Sequence, residues 1–81
     1  MPSELPSQLR WNEFLGVVKK LGYSLYESKR GSARTFRTTS REPKFVTFHE
    51  PHGSARLRKG TLREYVRKLN LTRDEFLKLL D

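Results

Sequence analysis

Three short stretches rich in β-formers, Tyr23–Ser28, Arg34–Thr38 and Phe45–His49, follow one another with only turn material between them. The connectors, Lys29-Arg30-Gly31-Ser32 and Thr39-Ser40-Arg41-Glu42-Pro43, consist largely of residues that favour turns. Parallel neighbours would need a crossover of about a dozen residues or more, so connections this short imply an antiparallel meander. Alternation places Tyr23 and Leu25 on one face of the first strand and Tyr26 on the other. In the third strand it points Val46 and Phe48 inward. Of the aromatic residues Tyr23, Tyr26, Phe36, Phe45 and Phe48, at least four are expected in the core, with Tyr26 left for the surface.

Helical patterns flank the meander. Phe14, Val17, Val18 and Leu21 recur at i, i+3, i+4 and i+7 in a helix from about Arg10 to Lys20. Lys19 and Lys20 suit its end, Gly22 is placed to cap it, and Trp11 is expected at its rim. Leu62, Tyr65, Val66 and Leu69 repeat the spacing in a second helix from about Lys59 to Leu69, and Asn70 suits a left-handed exit. Thr72-Arg73-Asp74-Glu75 is a capping box for a third short helix to about Leu80, with Leu71 and Phe76 in the hydrophobic-staple positions. Phe76, Leu77 and Leu80 of that helix are expected to cover the core. Glu50–Leu57 reads as a loop. The expected fold class is α+β, of order α-β-β-β-α-α, with one three-stranded antiparallel sheet and helices packed on one face. Met1–Gln8, with Pro2 and Pro6, reads as a flexible lead-in, and residues 9–81 as one domain.

The chain has 81 residues, so about 60% of its unfolded surface is buried and the core is small. Function is therefore expected on an exposed face or a shallow groove. The formal net charge is +8, and residues 29–68 alone carry a net +9. Such a balance favours a polyanion, an anionic membrane or an acidic protein as partner, and of these a membrane is not expected, since the basic residues lie mainly on turns and one docked helix. Without cysteine there is neither a disulfide framework nor a thiolate metal site. No apolar run approaches the roughly 20 residues of a membrane span, and no signal-peptide pattern opens the chain, so a cytoplasmic protein is expected.

Lys59, Arg63 and Arg67 form an i, i+4, i+8 row on the second helix, away from its apolar stripe. With Arg58 and the free N–H groups of the helix start, that row is a candidate phosphate-binding surface; the competing reading is an ordinary solvated face. Arg37 adds a cation on the second strand. His49, at the end of the third strand, and His52 are the only histidines; either is a candidate residual acid or base, though a surface loop histidine is the favoured reading, and without a carboxylate or cysteine at ligand spacing they make a poor metal site. Neither a metal nor any other cofactor is expected. Gly31-Ser32-Ala33-Arg34 recurs as Gly53-Ser54-Ala55-Arg56, a repeat too short to carry structure.

The order helix, meander, helix is similar to that of double-stranded RNA-binding domains, and several segments resemble the HicA toxin family of mRNA interferases. Lys20-Leu21-Gly22-Tyr23 resembles the end of that family's first helix, and Lys29-Arg30-Gly31-Ser32 the lead into its Gly-Ser-His element. Phe45-Val46-Thr47-Phe48-His49 is similar to its third strand. Leu57-Arg58-Lys59-Gly60-Thr61-Leu62-Arg63 with Leu71-Thr72-Arg73-Asp74-Glu75-Phe76 resembles its second helix and closing turn. The likeness spans about residues 12–78.

What the resemblance implies is a cytoplasmic toxin that binds and cleaves mRNA without metal and is neutralised by a HicB-like antitoxin, as a homodimer or a toxin–antitoxin hetero-oligomer. It puts the catalytic element at Gly31, Ser32 and position 33, with Lys29, Arg30 and Arg34 as charge stabilisers. Where the family resemblance calls for histidine, this chain has Ala33, which can neither accept nor donate a proton, so the chain as written is expected to be inactive. It is either a natural inactive relative or a toxin disarmed by a His-to-Ala change. Two other readings stay open: a non-catalytic double-stranded RNA- or DNA-binding module, and a protein-binding domain for an acidic partner.

Overall fold

The computed structural model describes residues 4–28, 31–51 and 56–80. Its elements run β1 (Gln8–Arg10), α1 (Trp11–Lys20), β2 (Ser24–Ser28), β3 (Ala33–Arg37), β4 (Phe45–His49), β5 (Arg56–Arg58), α2 (Lys59–Lys68) and α3 (Arg73–Leu80). The fold class is α+β, with the three-stranded antiparallel sheet β2-β3-β4 and a second, two-stranded sheet β1-β5. None of the helices among the described residues is long and apolar enough to cross a membrane.

Helix α1 forms where its apolar spacing predicts. Trp11, Phe14, Val17 and Val18 are buried, and the Arg10 N–H donates to the Glu13 carboxylate at its start. Gly22 ends it at φ +95°, a conformation that costs glycine little, and the Tyr23 N–H turns back to the Val18 carbonyl at 3.2 Å. Helix α2 buries Leu62, Tyr65 and Val66, with Leu69 at its C-terminal cap. Asn70 then adopts φ +59° and redirects the chain into α3. The capping box is formed: the Thr72 N–H donates to Glu75 at 2.8 Å, and the Glu75 N–H to the Thr72 hydroxyl at 3.1 Å.

The core centres on Phe14. Its ring meets Phe48 of β4 edge-on at 4.9 Å, Tyr65 of α2 at 5.6 Å and Phe76 of α3 at 6.2 Å, with Trp11 stacked at 5.7 Å. Phe36, Val46 and Phe48 supply the sheet's inner face. Alternation therefore turns Ala33, Thr35 and Arg37 of β3, and Phe45, Thr47 and His49 of β4, to the outer face.

Several expectations need correction. The lead-in is packed from Leu5, which is buried, and Gln8 already belongs to β1. Arg56 and Leu57, expected within a loop, belong to β5; Leu57 pairs with Leu9 and both side chains point into the core. Three residues are too few to reveal an alternating pattern. Trp11 is buried rather than at a rim. Leu25 does not share the burial of Tyr23: β2 is an edge strand, a register shift falls between Leu25 and Glu27, and all five of its residues are exposed. Phe45 is exposed as well, so only Tyr23, Phe36 and Phe48 of the five aromatics are core.

Phe14→Ala is expected to cost about 3–5 kcal/mol, most of what holds a domain this size together, and urea denaturation should show a largely unfolded population. The two Thr72 hydrogen bonds, backbone first, hold the Glu75 carboxyl below its ordinary value of 4.5. A lowered carboxyl stabilises the fold above its unfolded-state value and loses that contribution as pH falls through the folded one. Urea midpoints measured from neutral pH down through that range should therefore fall less steeply in Glu75→Gln than in the parent.

Candidate functional site

The site is built where the β2–β3 turn meets the end of β4. Gly31 takes φ +82°, and the Ser32 carbonyl accepts the Glu50 N–H at 2.8 Å, extending the β3–β4 ladder by one step. Ala33 is then the cross-strand partner of His49. In such pairs the Cβ atoms lie about 4.5–5.5 Å apart on one face, so any side chain at position 33 stands beside the His49 imidazole. The Ser32 hydroxyl is 3.3 Å from His49 Nδ1.

His49 is held by its backbone. Its N–H donates to the Tyr65 hydroxyl at 3.0 Å, and that hydroxyl donates to the His49 carbonyl at 3.2 Å. Lys68, one helical turn further along α2, donates to the Thr47 carbonyl at 3.0 Å and lies 6.0 Å from the Phe48 ring centre. The core residue Tyr65 thus fixes the strand end that carries an exposed histidine.

The residues expected to act together are divided. Gly31, Ser32 and Ala33 are brought to His49. Arg34 falls on the helix side of β3, where its guanidinium donates to the Gly31 and Ala33 carbonyls at 2.9 and 3.0 Å and pairs with Glu50 at 3.4 Å. It braces the turn, an occupation that competes with service as a free cation. Arg37 is exposed at the far end of β3.

Lys59, Arg63 and Arg67 form their row but face away from position 33. Arg63 lies about 160° around α2 from Tyr65. The row lines a groove of about 450 Å³ with Glu4, Leu71 and Asp74. Lys59 pairs with Glu4 and Arg67 with Glu64, each at 3.8 Å, and the first N–H of the helix is taken by the Ser7 carbonyl. Arg58 is exposed at the end of β5. Lys29, Arg30 and His52 lie outside the described residues.

Sequence reading passed over His49 as a partner of position 33, and Lys68 as a donor to the β4 backbone at Thr47. The signal for the first was present. Once Arg37 is set opposite Phe45, counting along both strands puts Ala33 opposite His49.

These elements define a small α+β domain with a compact polar cluster at one sheet end and a separate basic helix face. The family model described as HicA toxin of bacterial toxin-antitoxin matches residues 11–71, from the start of α1 to the turn before α3. The chain belongs to the HicA toxin family, and an antitoxin is its expected counterpart. No curated protein and no solved structure matched the chain.

Tyr65→Phe removes the hydroxyl that bridges the His49 peptide. It is expected to cost about 1 kcal/mol and to accelerate hydrogen exchange of the His49 amide. Unchanged exchange by NMR would show that this contact does not hold the strand end.

Proposed function

We propose that this domain is an mRNA interferase toxin neutralised by a HicB-like antitoxin, with position 33 as its reactive position and Ala33 holding this chain inactive. The observation that carries the reading is the pairing of Ala33 with His49 on an open face, with the Ser32 hydroxyl against the imidazole. Cleaving RNA without metal needs a base to take the ribose 2′-OH proton as that oxygen attacks phosphorus. It also needs an acid to protonate the departing 5′-oxygen, leaving a cyclic 2′,3′-phosphate. Two imidazoles side by side would fill both roles. His49 alone leaves one of them vacant.

The charge distribution agrees with a polyanionic substrate, since residues 29–68 carry a net +9. A HicB-like antitoxin would neutralise the toxin by covering the face that holds position 33. The presence of Ala33, together with a basic α2 row set apart from it, favours a second reading: a non-catalytic RNA- or DNA-binding module.

Ala33→His separates the two. The toxin reading expects growth arrest on induction and RNA cleavage in excess EDTA, neither given by the parent chain. Adding His49→Ala should lower the cleavage rate by about 100-fold or more. A folded Ala33→His protein that binds RNA but never cuts it would leave the binding module as the function.

A further inference from the structure

We infer that the outer face of the three-stranded sheet carries a stacking subsite for single-stranded RNA, formed by Tyr26 and Phe45 and flanked by Arg37 and Lys44. This rests on the RNA-cleaving reading and gives its substrate a path to position 33.

Tyr26 and Phe45 are 59% and 53% exposed, although Tyr23, Phe36, Phe48, Tyr65 and Phe76 are all buried. They come from opposite edge strands, and their rings meet edge-on at 5.3 Å across the central strand. A cross-strand aromatic contact contributes about 0.5–1 kcal/mol to a sheet, yet here more than half of each side chain faces solvent. Beside them lies a shallow groove of about 400 Å³, lined by Tyr26, Arg37, Thr38, Thr39, Lys44 and Phe45. Both charged residues of that lining are cations. Exposed rings accept the faces of unpaired bases, and adjacent cations meet the phosphates between them. A duplex keeps its bases stacked inside, so rings of this kind suit a single strand.

The subsite is in line with the reactive position. On the outer face three cross-strand pairs succeed one another: Arg37 with Phe45, Thr35 with Thr47, and Ala33 with His49. Alternate residues of a strand advance about 6.8 Å, so the two ends are about 14 Å apart. The middle pair is low, two threonine hydroxyls bonded at 2.8 Å, and does not wall off one end from the other. Glu27, the partner of Thr35, is the acidic exception on this face, and it is engaged in an interaction of its own. A short single-stranded segment seated on Tyr26 and Phe45 is thus directed along the face toward His49.

The test uses the chain as given, fluorescence anisotropy at low salt, a short oligouridine and a fully paired RNA duplex. Tyr26→Ala with Phe45→Ala is expected to weaken oligouridine binding at least 10-fold, in line with base stacking worth about 1–3 kcal/mol per base. Duplex binding should change by less than about twofold, and Tyr26→Phe should bind oligouridine like the parent. Should the double variant not fold, Arg37→Glu with Lys44→Glu in the same groove gives an equivalent reading. A folded double variant that binds oligouridine like the parent overturns the subsite and leaves the nuclease reading standing. So does one that keeps RNA binding but loses a purified antitoxin, which would make the face a protein-docking surface. A parent chain that binds neither RNA, and is inert as Ala33→His, removes the nuclease reading and the subsite with it.

Discussion

The edge-to-face contact of Phe14 with Phe48 is the joint on which the rest of the molecule turns. An 81-residue chain without cysteine has no covalent cross-link to supplement its core. Phe14 touches the sheet through Phe48, α2 through Tyr65 and α3 through Phe76, so three helices and the sheet are referenced to one ring. Tyr65 then carries that reference outward. Its ring packs against Phe14 and Phe48, while its hydroxyl grips both backbone polar groups of His49. The position of the only described histidine is set by the core as much as by the strand that bears it.

Helices α1 and α2 were legible because their buried residues repeat with helical spacing over a full ten-residue span. Helix ends were legible because caps are local chemistry: Gly22, Asn70 and the Thr72–Glu75 pair act within a few residues of themselves. The meander followed from connector length, and Val46 and Phe48 from simple alternation. What escaped was non-local. Leu9 and Leu57 look like isolated leucines until each is seen as the other's partner. Phe45 reads as a core residue by its aromatic character, although the alternation that turns Val46 and Phe48 inward puts it on the outer face, where it is exposed. Leu25 lies opposite Phe36 but stays exposed on an edge strand, which alternation alone does not reveal. The candidate site was half legible. Gly31-Ser32-Ala33 came from a resemblance, whereas His49 needed the register, and the occupation of Arg34 by Glu50 needed coordinates.

Positive charge is apportioned by this architecture instead of being pooled. One side of α2 presents Tyr65 and Lys68 to the edge of β4, and the opposite side carries Arg63 and Arg67 to a groove shared with the start of α3. Arg37 and Lys44 stand on a third surface, the outer face of the sheet. A single helix therefore serves as strut for the polar cluster and as a separate basic surface. Long-range attraction of a polyanion depends on the summed field, while what is held, and where, depends on which of these surfaces it meets.

The pairing of β1 with β5 has a consequence for how the chain is made. Leu9 is synthesised well ahead of Leu57, and the buried Leu5 and Leu9 have their strand partner only once β5 is available. Loop closure on that scale must be met before the contact stabilises anything. A nascent chain that has completed its meander still lacks α2, and with it the Tyr65 hydroxyl that holds the His49 strand end. The polar cluster is thus set in place only after α2 has joined the sheet.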